Sequence, residues 1–451
     1  MSAGAFCYLT IICLELLHIV WRLLGEAPPG IIFLKAMVAI PAVFLNWNVI
    51  SKPNKFVVSI AFGSGAVLLA WHGADLTTWL TSMAAYINLA VLLTMLGLIA
   101  FPFTQGRYGE LLIKAILQHT RSKILVFFLI SAVMTMMASL ILFPTIPMTY
   151  YLIADLPLEK KEKERFLGTL LTRGYVPAIM FTPFSIVMIL SLGLTGVNWI
   201  QVAPYGIMLT VLGLILPLIC QRNKLKGHLD LSGVALRSGV SMSGVSLVFT
   251  VTGLLLGLVL LNQVPHLNLI SSLILATLLF PMFWSVAFRQ VKPWALSVLT
   301  YRRKDFPLKF NEASLFIAVG FFSEAVRISG IGQLFLKYFM GIIETTGLMG
   351  IALTIPLLIT LMSMIGINNF VGITFIGTIL APAKIGMDPV FLCMLYVLGG
   401  AISIIPSPFS IISIITGNLL HTSSYWIARL NFGYTFLYIV LSSILLTLWF
   451  I

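Results

Sequence analysis

Charged residues are scarce in this sequence. Only 9% of its 451 residues are Asp, Glu, Lys or Arg, whereas 59% are hydrophobic. A water-soluble domain could not bury that much apolar surface, so lipid has to solvate much of the chain. The ~10-residue alternating segments of a transmembrane barrel are absent as well. Because backbone polar groups must be satisfied inside lipid, we predict an all-α polytopic membrane protein.

Motifs for catalysis and for metal binding are also absent. The sequence has no Walker A, HExxH or G-x-S-x-G motif and no His/Asp/Glu cluster with metal-ligand spacing. We therefore expect no enzyme activity, no catalytic residues and no resident cofactor or metal. The four cysteines have no CxxC spacing and lie in or beside apolar segments, so neither a disulfide framework nor a zinc site is implied.

Apolar runs of about 20 residues, the length that crosses a bilayer, dominate the chain. They predict helices near 3–24, 31–50, 56–72, 79–101, 123–142, 175–197, 201–220, 239–261, 267–288, 312–328, 347–366, 389–405, 408–421 and 431–451. The first run lacks a charged leader and a cleavage site, so we interpret it as a retained helix. At 143–147 and 366–372 the pattern breaks and continues in a segment too short to cross, which predicts two re-entrant hairpins.

The basic residues support a topology of eleven crossings and two hairpins, with a cytoplasmic N-terminus and a C-terminus outside. All but five of the 27 Lys and Arg fall in the loops that this topology makes cytoplasmic, namely 51–55, 102–123, 157–174, 221–238, 289–311 and 422–430. The exceptions are Arg22, Lys35, Arg327, Lys337 and Lys384. The net charge of +13 therefore indicates positive-inside topology in the cell membrane rather than nucleic-acid binding.

An internal repeat relates two parts of the chain. Positions 181–186 (FTPFSI) match 406–411 (PSPFSI), an offset of 225 in residue number, and the same offset superimposes the two hairpin tips. In the predicted topology the equivalent segments have opposite orientations, so we expect an inverted repeat. The predicted divisions are an extra helix in 1–30, a first repeat in 31–221, a cytoplasmic linker in 222–238 and a second repeat in 239–451. Each repeat contains one hairpin (123–156, 347–382) and one broken helix (175–197, 389–421).

Each half should form one centre from a hairpin tip and a proline-broken helix. A broken helix exposes N–H groups that favour anions and C=O groups that favour cations. The candidate binding residues of the second half are Asn368, Asn369, Thr374, Ser407, Pro408, Ser410, Thr416 and Asn418. Those of the first half are Thr145, Thr182 and Ser185. Back-bonding of Ser and Thr to their own helix is the structural alternative for each hydroxyl.

Ionisable groups at membrane depth are functional candidates as well. Glu324 could couple transport to protons, but a plain i,i+3 ion pair with Arg327 is the alternative. Glu15 and His18 lie on the extra first helix, outside the repeat, where structural and interfacial roles are both open.

Two hairpins and two broken helices in an inverted repeat resemble the ion transporter superfamily, which includes divalent anion–sodium symporters and arsenite permeases. The resemblance covers about 31–451. It implies a homodimer in which a transport domain makes an elevator-like movement against a scaffold domain, with Asn368, Asn369 and Thr374 at the second hairpin and Ser407, Pro408 and Ser410 at its partner helix. The symporters carry Ser-Asn-Thr at both tips. Here the first tip has no Asn, so a dicarboxylate substrate is not implied.

These observations favour a transporter of a small anionic solute, coupled to Na⁺ or H⁺. Na⁺ would bind at Asn368, Asn369 and Ser407, and a single surviving ion site should lie in the second half. A proton-coupled efflux permease similar to the arsenite exporters is the first alternative. A membrane protein that acts on lipid-linked substrates is the second, although it would need a cluster of catalytic polar residues at the membrane edge that the sequence lacks.

Overall fold

The computed structural model describes residues 3–25, 27–223, 225–230, 243–380 and 386–451. Within these ranges the regular structure is helical, apart from one isolated bridge between Ser122 and His228. The predicted all-α class is therefore confirmed. Most of the predicted linker 222–238, the end of the second hairpin and Lys384 lie outside the described residues.

Helices long enough and apolar enough to cross a membrane recur along the described chain. Nine satisfy both criteria, and a bent pair, Phe306–Ser329 with Gly332–Gly341, brings the number to ten. The chain is thus a multi-pass membrane protein. The predicted count of eleven crossings, the sidedness and the re-entrant character of the hairpins stay predictions.

The structure divides into two compact units, each built from two separate chain segments. The first unit comprises Met1–Gln105 and Val245–Gln333. Its helices are α1 (Ala3–Leu24), α2 (Gly30–Leu45), α3 (Lys52–Trp71), α4 (Leu76–Ala84), α5 (Ile87–Met95), α6 (Phe101–Gly106), α13 (Gly244–Gln263), α14 (Leu269–Ala287), α15 (Val291–Lys304) and α16 (Phe310–Ser329). Helix α16 packs along α3, where Leu69, Phe321 and Ala325 form a buried cluster.

The second unit comprises Gly106–Gly244 and Leu334–Ile451. Its first segment contains α7 (Tyr108–His119), α8 (Lys123–Ile141), α9 (Thr145–Ile153), α10 (Lys160–Ile179), α11 (Ile186–Thr195) and α12 (Trp199–Cys220). Its second segment contains most of α17 (Gly332–Met364, kinked at Gly347), α18 (Asn369–Ile379), α19 (Pro389–Ile402), α20 (Ile411–Leu419) and α21 (Ser424–Phe450). Both predicted hairpins and both broken helices therefore belong to one unit.

Several helices in the second unit begin at equivalent positions of the internal repeat. Helices α11 and α20 begin at Ile186 and Ile411, and α12 and α21 begin at Trp199 and Ser424. Each of the latter two starts at a polar N-cap, because Asn198 forms a capping box with Gln201 and Ser423 accepts from a backbone N–H. The predicted offset thus describes the local structure of this unit. The opposite orientation of the two halves stays a prediction.

Two predicted loops are wrong. The predicted loop 157–174 is largely helical, because α10 begins at Lys160; its first turns are rich in charged residues, so hydropathy does not mark them as helix. The predicted loop 289–311 contains α15 and a short 3₁₀ segment, Phe306–Lys309. The predicted span 79–101 lies within one candidate membrane span, Leu76–Gly106, although that span contains a turn between α4 and α5 and a 3₁₀ segment, Leu96–Ala100.

A buried ion pair joins the first two helices of the first unit. The Nζ atom of Lys35 on α2 lies 2.8 Å from Oε2 of Glu15 and 2.8 Å from Nδ1 of His18, both on α1. Lys35 and Glu15 are 5% and 4% exposed. Burial in an apolar medium is tolerable for such charges only when they are paired, so the pair fixes how α1 packs on α2.

We expect Lys35→Met to lower the free energy of unfolding by about 3–5 kcal/mol, since it leaves the Glu15 carboxylate buried without its cation. The double variant Glu15→Leu/Lys35→Met removes both charges and should recover most of that loss. Thermal unfolding in detergent measures both. A single variant as stable as the double variant would contradict this role of the pair.

Candidate functional site

The first broken helix is interrupted at residues 180–185, the first break, between α10 and α11. The Thr182 hydroxyl donates to the backbone oxygen of Ser139, on the last turn of α8, at 2.6 Å. It also accepts from the backbone N–H of Phe184 at 3.3 Å. This hydroxyl therefore replaces a hydrogen bond that the helix loses at the break and fastens the break to the first hairpin.

The second break, residues 403–410 between α19 and α20, has the same arrangement. The Ser407 hydroxyl donates to the backbone oxygen of Ser363, near the end of α17, at 2.7 Å, and accepts from the N–H of Phe409 at 3.3 Å. In the internal repeat, Ser407 and Phe409 are the equivalents of Thr182 and Phe184. We call these two hydroxyl contacts the clasps.

The two hairpin tips differ in how they are held. At the first tip, residues 142–144, Leu142 has a positive φ of 58°, and the Phe143 ring stacks on Tyr175 of α10 at 5.7 Å between centroids. The second tip, residues 365–368, has Gly366 at φ 95°, as expected for a tight turn. The side-chain amide of Asn369, at the start of α18, donates to Gly400 O on α19 at 2.9 Å. Gly372 lies inside α18 and is not part of this turn.

The short helices that follow the tips pack crosswise between the two halves. Helix α9 of the first hairpin packs against α20, and α18 of the second hairpin packs against α11. The predicted pairing of each tip with the break of its own half holds for the clasps. The prediction is incomplete for the short helices, because α9 also packs against the helix after the second break and α18 against the helix after the first break.

Three of the predicted site residues carry buried hydroxyls that have no hydrogen-bond partner among the described residues. These are Thr145 on α9, Thr374 on α18 and Thr416 on α20, none more than 1% exposed. Thr149 on α9, which the sequence pattern did not indicate, also has a buried hydroxyl without a described partner. It is the repeat equivalent of Thr374. A buried hydroxyl that makes no bond costs free energy, so these four groups are suited to a ligand or an ion.

Ser191, the repeat equivalent of Thr416, behaves differently. Its hydroxyl donates to the backbone oxygen of Val187 at 2.7 Å within α11. This is the ordinary back-bonding expected of Ser and Thr in helices, and Thr416 does not do it.

The half-helices that follow the breaks also differ at their N-termini. Ser410 caps α20 by accepting from the N–H of Ser413 at 3.1 Å. At the start of α18, the Asn368 side chain likewise accepts from the N–H of Phe370 at 3.0 Å. Ser185 stands at the N-cap of α11 but makes no side-chain cap. In the described part of the chain, the backbone N–H groups of residues 186–188 have no acceptor. The N-terminus of α11 is therefore a buried set of free donors.

The remaining predicted residues take no part in the contacts described above. Pro408 is half-buried at the second break, and Asn418 is exposed. Glu324 forms a bidentate ion pair with Arg327 on α16, in the first unit, as the structural alternative expected. The hairpins and the breaks all belong to the second unit.

The prediction that Arg173 lies in a loop is wrong. It lies on α10, is 4% exposed, and donates to the side chain of Asn431 at 2.9 Å and to the backbone oxygen of Leu430 at 3.0 Å. Its guanidinium lies 4.6 Å from the ring centre of Tyr434. It thus ties α10 to α21. The absence of proline from 158 to 176 was the sequence signal that this segment continues as helix.

Comparison with known proteins identifies the fold. No protein-family model matches the chain, and no curated protein matches it. Among solved structures, the chain is similar to the YdaH transporter of Alcanivorax borkumensis, with a TM-score of 0.59 and 15% sequence identity. The match covers 88% of this chain and 98% of that chain. At this identity the likeness concerns the fold alone, so this chain has a fold that is found in a membrane transporter.

Proposed function

We propose that this protein is a secondary active transporter that uses the free energy of a Na⁺ gradient to move a small anionic solute. The observation that carries the proposal is the pair of clasped breaks, together with the buried hydroxyls on α9, α18 and α20 that have no partner among the described residues. The similarity in fold to the YdaH transporter supports it. Broken helices are how transporters build binding sites at membrane depth without burying charged side chains.

The anion site is the N-terminus of α11. Its first N–H groups have no acceptor among the described residues, and Ile186, Val187 and Met188 are 8%, 2% and 0% exposed. Unpaired N–H groups and the positive end of the helix dipole favour an anion there. Ser410 caps one N–H group at the equivalent end of α20, and the first residue of that helix, Ile411, is 39% exposed, so the free N–H groups there are fewer and less buried. The anion site therefore lies in the first half.

The coupling ion is Na⁺ rather than H⁺. Thr145, Thr374 and Thr416 offer hydroxyl oxygens without a partner, and the ends of the broken helices add carbonyl oxygens, which are ligands for a hard cation. The segments 139–154, 175–196, 363–380 and 399–420 contain no Asp, Glu or His. A proton carrier would need such a group, and Glu324 is paired with Arg327 in the first unit.

An elevator-like movement fits the division of the chain. Each unit is assembled from both halves, and one unit contains both hairpins and both breaks. The resemblance to the ion transporter superfamily adds the expectation of a homodimer. Cross-linking in native membranes would test that expectation.

We expect Ser185→Asp to abolish anion binding, because its carboxylate caps the α11 N–H groups in place of the solute. The same cap should offset part of the cost of burying the carboxylate, so the ligand-free variant should still unfold cooperatively. Thermal shift with a panel of small anions (acetate, succinate, phosphate and sulfate) measures both effects, since a ligand of the folded state raises the melting temperature.

Ser185→Ala is the matched control for this experiment. It leaves the N–H groups free, so the anion that stabilises the wild type should still bind, less than about tenfold more weakly. An undiminished anion response in Ser185→Asp would rule out the N-terminus of α11 as the anion site.

We expect Thr416→Val to lower the affinity for Na⁺ by about tenfold or more, since it removes an oxygen ligand. Because it also removes a buried hydroxyl without a partner, the ligand-free protein should become about 1 kcal/mol more stable. Ser191→Ala, at the equivalent position, removes a bonded hydroxyl and should leave Na⁺ affinity unchanged. Melting temperatures in NaCl and choline chloride of equal ionic strength provide the comparison. Equal Na⁺ responses in the two variants would contradict the proposed role of Thr416.

A further inference from the structure

Helix α15 joins two long apolar helices of the first unit. It follows α14, a candidate membrane span, and precedes α16, which belongs to the bent pair that counts as a further candidate span. None of its residues is buried. The connections on both sides are short, with only positions 288–290 between α14 and α15. Helix α15 is therefore held near the membrane surface at the ends of its neighbours.

One side of α15 is docked on the first unit. The Tyr301 hydroxyl donates to the backbone oxygen of Thr94 at 2.7 Å. The Tyr301 ring lies against Gly97, in the 3₁₀ segment Leu96–Ala100, where a larger residue would not fit. Ser297 is half-buried on this same side, one helical turn earlier. The opposite side of the helix is left without contacts of this kind.

The outward side combines leucines with basic residues. Lys292, Leu296, Leu299 and Arg303 recur at helical spacing and are all exposed, with Leu296 at 64% and Leu299 at 49%. Lys292 and Arg303 make no ion pair with another described residue. Residues 289–305 contain only one acidic residue, Asp305, beside Arg289, Lys292, Arg302, Arg303 and Lys304.

We propose that this face of α15, defined by Lys292, Leu296, Leu299 and Arg303, binds the headgroups of anionic phospholipids. The two leucines would enter the boundary of the acyl chains, and the cations at either end of the face would reach the phosphates. The occupant is lipid because the flanking helices fix α15 beside the membrane and the face is cationic. The predicted cytoplasmic side of 289–311 is the side where anionic lipids lie.

The test compares the double variant Lys292→Gln/Arg303→Gln with the wild-type protein. Both residues are exposed and have no ion-pair partner among the described residues, so the variant should fold. Purified protein in detergent is titrated with phosphatidylglycerol or with phosphatidylcholine, and lipid binding is followed by melting temperature and by native mass spectrometry. The matched control is Lys160→Gln/Lys161→Gln, which removes two exposed charges from the start of α10.

Phosphatidylglycerol should bind the wild type and the control alike, and the α15 variant about 30-fold more weakly. Phosphatidylcholine should not discriminate among the three proteins. Unchanged phosphatidylglycerol affinity in the α15 variant would overturn the proposal. So would an equal stabilisation of the wild type by inorganic phosphate, which would indicate a site for a free anion rather than for a lipid.

Discussion

Every polar group of a chain that lies in an apolar medium needs a partner, and the structure of this protein depends on that constraint. Continuous helices meet it with their own backbone bonds. The two breaks cannot, so the hydroxyls of Thr182 and Ser407 restore part of the lost bonding through the clasps to Ser139 and Ser363. In the described parts of the second unit, the unbonded groups near the breaks include a few hydroxyls, the first N–H groups of α11 and, in part, those of α20. The proposed function follows from these groups.

The two halves meet the constraint unequally. In the second half, Asn368 and Ser410 cap the helices that follow them, and Asn369 fastens the tip to α19. In the first half, Phe143 stacks on Tyr175 at the tip, and α11 has no side-chain cap. The missing Asn at the first tip is visible in the sequence. The uncapped end of α11 is not, because Ser185 and Ser410 are the same residue type at equivalent positions and only Ser410 caps its helix. We infer that the halves have divided their tasks, with anion recognition concentrated at the first break.

Much of the fold could be predicted from the sequence, because lipid imposes long apolar runs and the clasp residues Thr182 and Ser407 occupy equivalent positions of the repeat. The errors occur where helices carry too many polar residues for hydropathy to mark them. Arg173 and the polar first half of α10 resemble a loop by hydropathy, yet Asn431 and Leu430 satisfy the guanidinium. Helix α15 was missed because its polar and basic composition resembles a loop by hydropathy. The sequence also could not predict which hydroxyls form a hydrogen bond. Ser191 and Thr416 occupy equivalent positions of the repeat, but only the Ser191 hydroxyl has an acceptor among the described residues.

The central claim is that a Na⁺ gradient drives the movement of a small anion through this protein. The most direct test is uptake of a labelled anion, chosen as the one that stabilises the protein most, into proteoliposomes with an imposed Na⁺ gradient, an imposed H⁺ gradient or neither. We predict accumulation with the Na⁺ gradient alone, and none in vesicles that contain Ser185→Asp. Accumulation driven by the H⁺ gradient, or no movement under either gradient, would contradict the claim.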